Sequence, residues 1–267
     1  MTKTTGRVTT YGEGAIAAAL IHGGPGAAGE MAAVGNALRD CFAVIEPHQT
    51  ANTIAGLIQE LATQIRENSR PPITLVGFSW GALLAVLTCH DYPSLVNRMV
   101  LIGCPPLDDH RADEIEPKRL ERLTAGEQLE YRNVITDLAG AETKPARAAL
   151  ARLAALALKT DQVDPVVEAD RPGISVAQME AFRAIWPQAA KMRSEGVFKK
   201  IIRRIHCPVT AIHGREDPHP LASVSEVFSA NVKDFRLVVL ENCGHKPWIE
   251  RNARRDFYRV LVAELSA

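Results

Sequence analysis

Three polar residues of this chain, Ser79, Asp217 and His245, have the types that can together activate a hydroxyl nucleophile. A serine hydroxyl is a weak nucleophile until a base removes its proton. Histidine can be that base because its ordinary pKa is about 6.5, and a carboxylate can hold the imidazole in the required tautomer. The three residues lie far apart in the chain, so this chemistry depends on elements that bring them together.

Ser79 lies at the centre of residues 77–81, whose sequence Gly-Phe-Ser-Trp-Gly has the pattern Gly-x-Ser-x-Gly. The apolar run 72–76 before it predicts a buried strand, and the apolar run 82–87 after it predicts a buried helix. The two glycines would let the helix pass close to the strand. The hydroxyl would then lie at the carboxyl end of a sheet, and the N–H of Trp80 would open the helix.

Strand and helix patterns alternate along much of the chain. Residues 7–11 form a short extended stretch, and further apolar strand-like runs occur at 15–21, 42–45, 99–102, 208–212 and 235–240. This alternation indicates an α/β fold with a mostly parallel sheet and helices on both faces. From 108 to 204 the chain instead has charged, Ala- and Leu-rich helical stretches, which we expect Pro165, Pro172 and Pro187 to interrupt. We therefore predict a core domain of residues 1–107 and 205–267 and a helical cap insertion at 108–204.

Catalytic groups in an open parallel sheet gather beyond the carboxyl ends of its strands. Asp217 and His245 follow the predicted strands 208–212 and 235–240, as Ser79 follows its own strand. The ordinary alternatives are that Asp217 is a turn residue and His245 a loop histidine. Glu216, one residue earlier, is an alternative acid.

Three further histidines lie at or near strand ends. His48 and His219 could line the mouth of the site. His213 is interpreted as a structural residue or as one that supports the site from behind.

Four motifs occur in the order found in a known superfamily: His-Gly-Gly-Pro-Gly at 22–26, the serine motif at 77–81, Gly-Arg-Glu-Asp at 214–217 and Gly-His at 244–245. On these motifs the chain resembles the α/β-hydrolase superfamily over nearly its whole length. The first two are most similar to the proline iminopeptidase branch. The resemblance implies an oxyanion hole formed by the backbone N–H groups of Gly24 and Trp80, and a helical cap above the site.

The chain departs from that branch after the predicted strand 42–45. The branch has a long glycine-rich loop there, whereas residues 46–52 pass almost directly into the next helix. Cap acids hold a substrate amine in that branch, and the candidates here are Glu168, Asp170, Glu180 and Glu195.

We predict a cofactor-independent serine hydrolase that cleaves a small ester, thioester or amide through an acyl-enzyme on Ser79. Trp186 and Phe182 of the insertion and Trp80 of the serine motif are candidates for lining the substrate pocket. The alternative for these aromatic residues is ordinary core, which is the preferred interpretation of Phe182. Three alternatives stay open. They are an iminopeptidase or aminopeptidase that releases an N-terminal residue, acyl transfer or carbon–carbon cleavage by the same residues, and a non-catalytic small-molecule receptor.

Composition excludes several other classes. The 267 residues include 31 basic and 31 acidic ones, so no net field attracts nucleic acid or a membrane surface. No apolar run approaches the roughly 20 residues of a membrane span, and the polar first residues lack the apolar core of a signal peptide. No paired ligands with metal spacing occur at these loops. A small-molecule substrate is the expected partner, and the oligomeric state stays open.

The cysteines predict a compartment. There are five, an odd number with no Cys-x-x-Cys pair, and most lie in apolar stretches. This pattern indicates buried reduced thiols in a cytoplasmic protein.

Overall fold

A computed structural model of the chain describes residues 1–139, 143–166 and 174–267. Within these residues one eight-stranded sheet has the order β1-β2-β4-β3-β5-β6-β7-β8. Its strands are β1 (Thr2–Thr5), β2 (Val8–Tyr11), β3 (Ile16–Ile21), β4 (Ala43–Pro47), β5 (Ile73–Phe78), β6 (Val96–Ile102), β7 (Val209–Gly214) and β8 (Phe235–Leu240). Strands β1 and β2 pair antiparallel with their neighbours, and the pairs from β4 to β8 are parallel. The predicted α/β fold with a mostly parallel sheet is confirmed.

The helices of the described residues fall into a core set and an inserted set. The core set is α1 (Ala32–Leu38), α2 (Ile54–Asn68), α3 (Trp80–Asp91), α10 (Leu221–Asn231) and α11 (Arg254–Ser266). The inserted set lies between β6 and β7 and is α4 (Asp109–Ala112), α5 (Ile115–Leu120), α6 (Ala125–Ala139), α7 (Thr143–Thr160), α8 (Val176–Ser194) and α9 (Val197–Ile202). We call the second set, with its connections, the helical insertion. None of the described helices combines the length and hydropathy that crossing a bilayer requires.

Both faces of the sheet are buried. Ala18 and Leu20 of β3 point into one hydrophobic cluster, and Ala19 and Ile21 point into the other. Helices α1 and α11 contribute to the first cluster, and α2, α3 and α10 contribute to the second. Because successive side chains of a strand point to opposite faces, a sheet covered on both sides needs continuously apolar strands. That requirement explains the short apolar runs in the sequence.

The helical insertion contains the three long helices that the sequence predicts, now α6, α7 and α8. The expectation that Pro187 interrupts this region is wrong, because α8 continues through it. Ile185 and Ala189, on either side of the proline, are buried, so packing holds the helix together there. Pro165 lies outside the helices, and Pro172 lies outside the described residues.

The first strand is the main element that the sequence analysis missed. Residues 2–5 pair with β2 but are exposed throughout. An exposed strand of threonine and lysine carries no alternation of apolar and polar residues, so periodicity could not reveal it.

Candidate active site

Ser79 occupies the sharp turn between β5 and α3. Its φ is 51° and its ψ is −121°, a left-handed backbone that a non-glycine residue adopts at a cost of about 1–3 kcal/mol. A Cβ at Gly77 would lie 2.4 Å from the carbonyl oxygen of Gly81, and one at Gly81 would lie 2.2 Å from that of Ile21. Both glycines are therefore needed for the start of α3 to pass this close to the sheet, as the motif predicted.

Trp80 is the first residue of α3, and the first N–H groups of a helix have no partner within the helix. The Trp80 side chain is fully buried, and its Nε1–H donates to Oε1 of Gln49 over 2.8 Å. Gln49 Nε2 also donates to the carbonyl oxygen of His22 over 3.0 Å. Gln49 therefore joins the serine turn to the loop after β3.

Sequence reasoning missed Gln49. The available signal was the short connection between β4 and α2, which leaves few residues to fill the space beside Trp80.

The loop after β3 contains Gly24, the predicted second oxyanion donor. The ring of His22 fixes the start of this loop. The Gln49 backbone N–H donates to Nε2 over 3.3 Å, so the ring proton is on Nδ1, which donates to the Gly23 carbonyl over 2.9 Å. Burial lowers the pKa of His22, which favours this neutral form.

A buried carboxylate holds the rest of this loop. Glu46 is fully buried at the end of β4. It accepts hydrogen bonds from the backbone N–H groups of Gly29 and Met31 and from the hydroxyl of Tyr11. Burial and the negative charge of Glu46 raise the pKa of the Tyr11 hydroxyl. These hydrogen-bond partners of the loop all belong to the core.

Asp217 and His245 form a buried hydrogen-bonded pair at the ends of β7 and β8. His245 Nδ1 donates to Asp217 Oδ2 over 2.7 Å. Burial by itself raises the pKa of Asp217, but the positive forms and hydrogen bonds of His245 and His219 outweigh it and hold the pKa well below its usual value. Asp217 is therefore an anion that orients the imidazole. Glu216, the alternative acid, instead accepts from the backbone N–H of Cys243.

The serine turn and the Asp217–His245 pair lie at the same edge of the sheet. Phe78, the residue before Ser79, packs its ring against His245 with centroids 4.9 Å apart. Ser79 itself is half-buried, so its hydroxyl is not sealed inside the core. The structure thus brings together the loops of the three residues that the sequence analysis singled out.

Two further histidines surround Asp217. His219 Nδ1 donates to Asp217 Oδ1 over 2.8 Å, and the His219 ring stacks on the His245 ring. His213 Nε2 donates to the backbone carbonyl of His219 over 2.9 Å, which supports its interpretation as a structural residue. Asp217, His219 and His245 also offer ligand atoms within 4.8 Å of one another, as a metal ion would require. Both Nδ1 atoms already donate to the carboxylate, so a metal bound to them would displace the bonds that orient the imidazoles.

The segment that follows α7 pairs with the loop that carries His245. The backbone N–H of His245 donates to the carbonyl oxygen of Asp161 over 2.7 Å. A Cβ at Gly244 would lie 2.1 Å from that oxygen, so only glycine fits there. The Asp161 side chain is held by Arg119 of α5 through two hydrogen bonds. The helical insertion therefore contacts the backbone of the candidate base directly.

A second buried carboxylate reinforces this contact. Glu250 is fully buried and accepts from the backbone N–H groups of Val163, Asp164 and Gly244. Two of these donors belong to the insertion and one to the His245 loop. No sequence motif marks Glu250, because two of its three partners, Val163 and Asp164, lie more than 80 residues earlier in the chain.

The predicted pocket residues have different surroundings. Trp186 of α8 lies 5.9 Å from the ring of Trp80 and 5.9 Å from that of Phe182, centroid to centroid. The three rings form a continuous aromatic row from the serine turn into the insertion. His48 does not join them, because its Nε2 hydrogen-bonds Thr9 of β2 over 3.0 Å. These contacts do not support the expectation that His48 lines the site.

Comparisons with known proteins agree with this geometry at the level of the fold. Residues 20–251 match the family described as alpha/beta hydrolase fold. Curated protein sequences give no match.

Several solved structures share the architecture. VinJ has 18% sequence identity and a TM-score of 0.71, with 100% of this chain and 97% of that chain covered. A putative lipase from Acinetobacter baumannii AYE has 17% identity and a TM-score of 0.64, covering 100% and 91%. The epoxide hydrolase CorEH has 17% identity and a TM-score of 0.64, covering 96% and 92%. Identities this low show a common fold and nothing finer.

Proposed function

The chain belongs to the alpha/beta hydrolase fold family, and from this premise we propose that it is a serine hydrolase with Ser79 as its nucleophile. The observation that carries the proposal is the left-handed backbone of Ser79, held at the sheet edge where His245 is bonded to the Asp217 carboxylate. A strained serine at the start of a helix, beside an oriented imidazole, is the arrangement that acyl transfer to a hydroxyl requires.

The reaction proceeds in two steps. Nε2 of His245 takes the Ser79 proton as the oxygen attacks the substrate carbonyl, and the anionic carbonyl oxygen lies between the N–H groups of Gly24 and Trp80. One such donor contributes about 3–4 kcal/mol in the transition state. His245 then protonates the leaving group, and the acyl-enzyme forms. In the second step His245 removes a proton from water, which attacks the acyl group; the bond to the Ser79 oxygen breaks, His245 returns the proton to that oxygen, and the acid is released.

The substrate is a small ester, thioester or amide, and the helical insertion is the cap that covers it. The direct contacts of α8 with the oxyanion loop support this role, since a Cβ at Gly26 would lie 3.0 Å from the Cα of Gln178. Trp186 and Phe182 provide an apolar surface for the acyl group. The reaction needs no cofactor, because every proton and charge it involves is handled by the groups named.

The iminopeptidase alternative lacks a matching acid among the described candidates. Glu180 and Glu195 are exposed on α8 and at its end. Glu168 and Asp170 lie outside the described residues.

The five free cysteines, two of which lie with their Sγ atoms 3.6 Å apart, support a reducing compartment such as the cytoplasm.

Labelling with a fluorophosphonate probe tests the nucleophile. We expect the wild type to be labelled on Ser79 and the Ser79→Ala variant to be unlabelled and inactive. Labelling of that variant at the wild-type rate would show that another residue is the nucleophile.

A panel of p-nitrophenyl esters and aminoacyl-naphthylamides then separates the alternatives. Turnover of the esters supports the proposal, and turnover restricted to the naphthylamides supports the peptidase. Stoichiometric ligand binding without labelling or turnover supports the receptor.

A further inference from the structure

The carboxylate of Asp217 serves two imidazoles. His245 occupies Oδ2, and Oδ1 receives both the ring Nδ1–H and the backbone N–H of His219, over 2.8 and 2.9 Å. An ionised carboxylate only accepts hydrogen bonds, so both Nδ1 atoms carry protons. His219 is therefore fixed as the Nδ1–H tautomer by the same anion that fixes His245.

The two rings also contact each other face to face. Their centroids are 4.3 Å apart and their planes differ by 23°. Phe78 packs against His245 as well, and a Cβ at Gly103 would lie 2.8 Å from His245 Nδ1. The His245 ring is thus confined by His219, Phe78 and the backbone of Gly103, and His219 supplies the stacked face.

His219 stays neutral while His245 changes charge. Burial is the largest effect on the pKa of His219; together with the positive charge of His245 it outweighs the Asp217 carboxylate and lowers the pKa to about 4. His219 is therefore a permanent neutral donor to Asp217 at neutral pH.

The other titratable groups near these rings already have partners. His213 Nε2 lies 3.6 Å from Asp217 Oδ2 and donates to the His219 carbonyl instead. Asp161 of the insertion is bonded to Arg119, and Glu30 of the loop after β3 is bonded to Lys246, with 2.7 Å between Lys246 Nζ and Glu30 Oε1. Asp217 is thus the anion that acts most directly on His245. Each further hydrogen-bond donor to the Asp217 carboxylate weakens its attraction for the protonated ring of His245. His219 provides two of those donors.

We propose that His219 is a positioning residue for the reaction assigned to Ser79, one that holds the second oxygen of Asp217 and the face of the His245 ring. Its two N–H groups share the charge of the Asp217 carboxylate, which therefore stabilises the protonated form of His245 less than an unshared carboxylate would. This inference rests on the proposed function for its catalytic consequence, but not for the tautomer and charge sharing themselves.

Two variants separate the hydrogen bond that His219 donates from the stacking of its ring. His219→Phe keeps a stacked ring and removes the Nδ1–H, whereas His219→Asn places an amide N–H near the Nδ1 position and removes the stack. In the pH profile of kcat/KM, we expect His219→Phe to move the midpoint of the acidic limb to a pH about 0.5 to 1 unit higher. The reason is that the carboxylate then stabilises the protonated form of His245 more strongly. We expect His219→Asn to leave that limb within about 0.3 unit and to lower kcat a few-fold, with KM unchanged.

Ring-nitrogen NMR of the wild type and both variants gives a readout that needs no turnover. In the wild type we expect His219 to be a neutral Nδ1–H tautomer between pH 5 and 8, and His219→Phe to raise the midpoint of His245 protonation by the same amount as the kinetic limb.

An Nε2–H tautomer for wild-type His219, or an unchanged His245 midpoint in a folded His219→Phe variant, would overturn the proposal. Absence of turnover and of probe labelling in the wild type would instead refute the serine hydrolase, while the NMR result would still decide the role of His219.

Discussion

The loops on the two sides of the candidate site contact the rest of the molecule in different ways. The nucleophile side comprises the loops after β3, β4 and β5, and the base side comprises the loops after β7 and β8. Each side contains a fully buried carboxylate with three donors, Glu46 on the nucleophile side and Glu250 on the base side. The donors to Glu46 all belong to the core, whereas two of the donors to Glu250 belong to the helical insertion.

The helical insertion therefore contacts the two sides of the site differently. The nucleophile side meets the insertion through ring contacts such as that of Trp80 with Trp186. It also meets it through the side chain of Gln188 in α8, which donates to the carbonyl oxygen of Asn52 and accepts from the backbone N–H of Ile54. The base side shares backbone hydrogen bonds with it, including the one from His245 to Asp161. We infer that movement of the insertion would alter the base more than the nucleophile. On the base side a hydrogen bond from the insertion reaches the backbone of His245 itself, whereas on the other side Gln188 bonds Asn52 and Ile54 at the start of α2.

The largest effect is expected at the acid of the base side. Asp217→Asn should lower kcat by about 10³- to 10⁴-fold, because the amide favours the wrong tautomer of His245. Glu216→Gln is the matched control, since that carboxylate accepts only from the Cys243 backbone among the bonds described. Steady-state kinetics with circular dichroism as a check on folding decides between them. Full activity in Asp217→Asn together with loss in Glu216→Gln would reassign the acid.

The two buried carboxylates allow a direct test of the comparison. Glu250→Gln and Glu46→Gln each replace one carboxylate oxygen by an amide N–H, so a backbone N–H group loses its acceptor and faces another donor. Each change should reduce the free energy of unfolding by about 1–3 kcal/mol. Only Glu250→Gln should speed hydrogen exchange at Val163 and Asp164, and it should lower kcat by roughly tenfold through the His245 loop. Glu46→Gln should instead speed exchange at Gly29 and Met31.

Equal exchange patterns in the two variants would contradict the comparison, because the insertion would then depend on both sides alike. Denaturant titration supplies the free energies, and the exchange rates of the four named amides supply the locations.

Much of this arrangement follows from local sequence, and the rest from contacts that no local pattern encodes. The strand–turn–helix around Ser79 could be predicted because apolar periodicity and two glycines within five residues specify it. Asp217 and His245 could be placed because parallel strands deliver their carboxyl ends to one edge. Gln49 and Glu250 could not, because a buried polar residue is explained only by its partners, and these are brought near by the completed fold.

The smallest expected effect concerns Gln49 on the nucleophile side. Gln49→Ala removes the acceptor for Trp80 Nε1 and the donor to the His22 carbonyl, so the two predicted oxyanion N–H groups lose a connection behind them. We expect kcat to fall by about three- to tenfold with little change in KM, because small displacements of such donors weaken binding of the transition state. Gln64→Ala is the matched control.

Gln64 is also a buried glutamine whose Nε2 donates to backbone carbonyls, those of Arg7 and His48, away from the serine turn. Its loss should cost about the same stability and leave kcat unchanged. Equal kcat values for the two variants would mean that the nucleophile side does not depend on Gln49 for its geometry, and that Glu46 and the His22 ring suffice to hold the oxyanion loop. A selective loss in Gln49→Ala would show that a core residue behind the serine turn aligns the predicted oxyanion donors on this side.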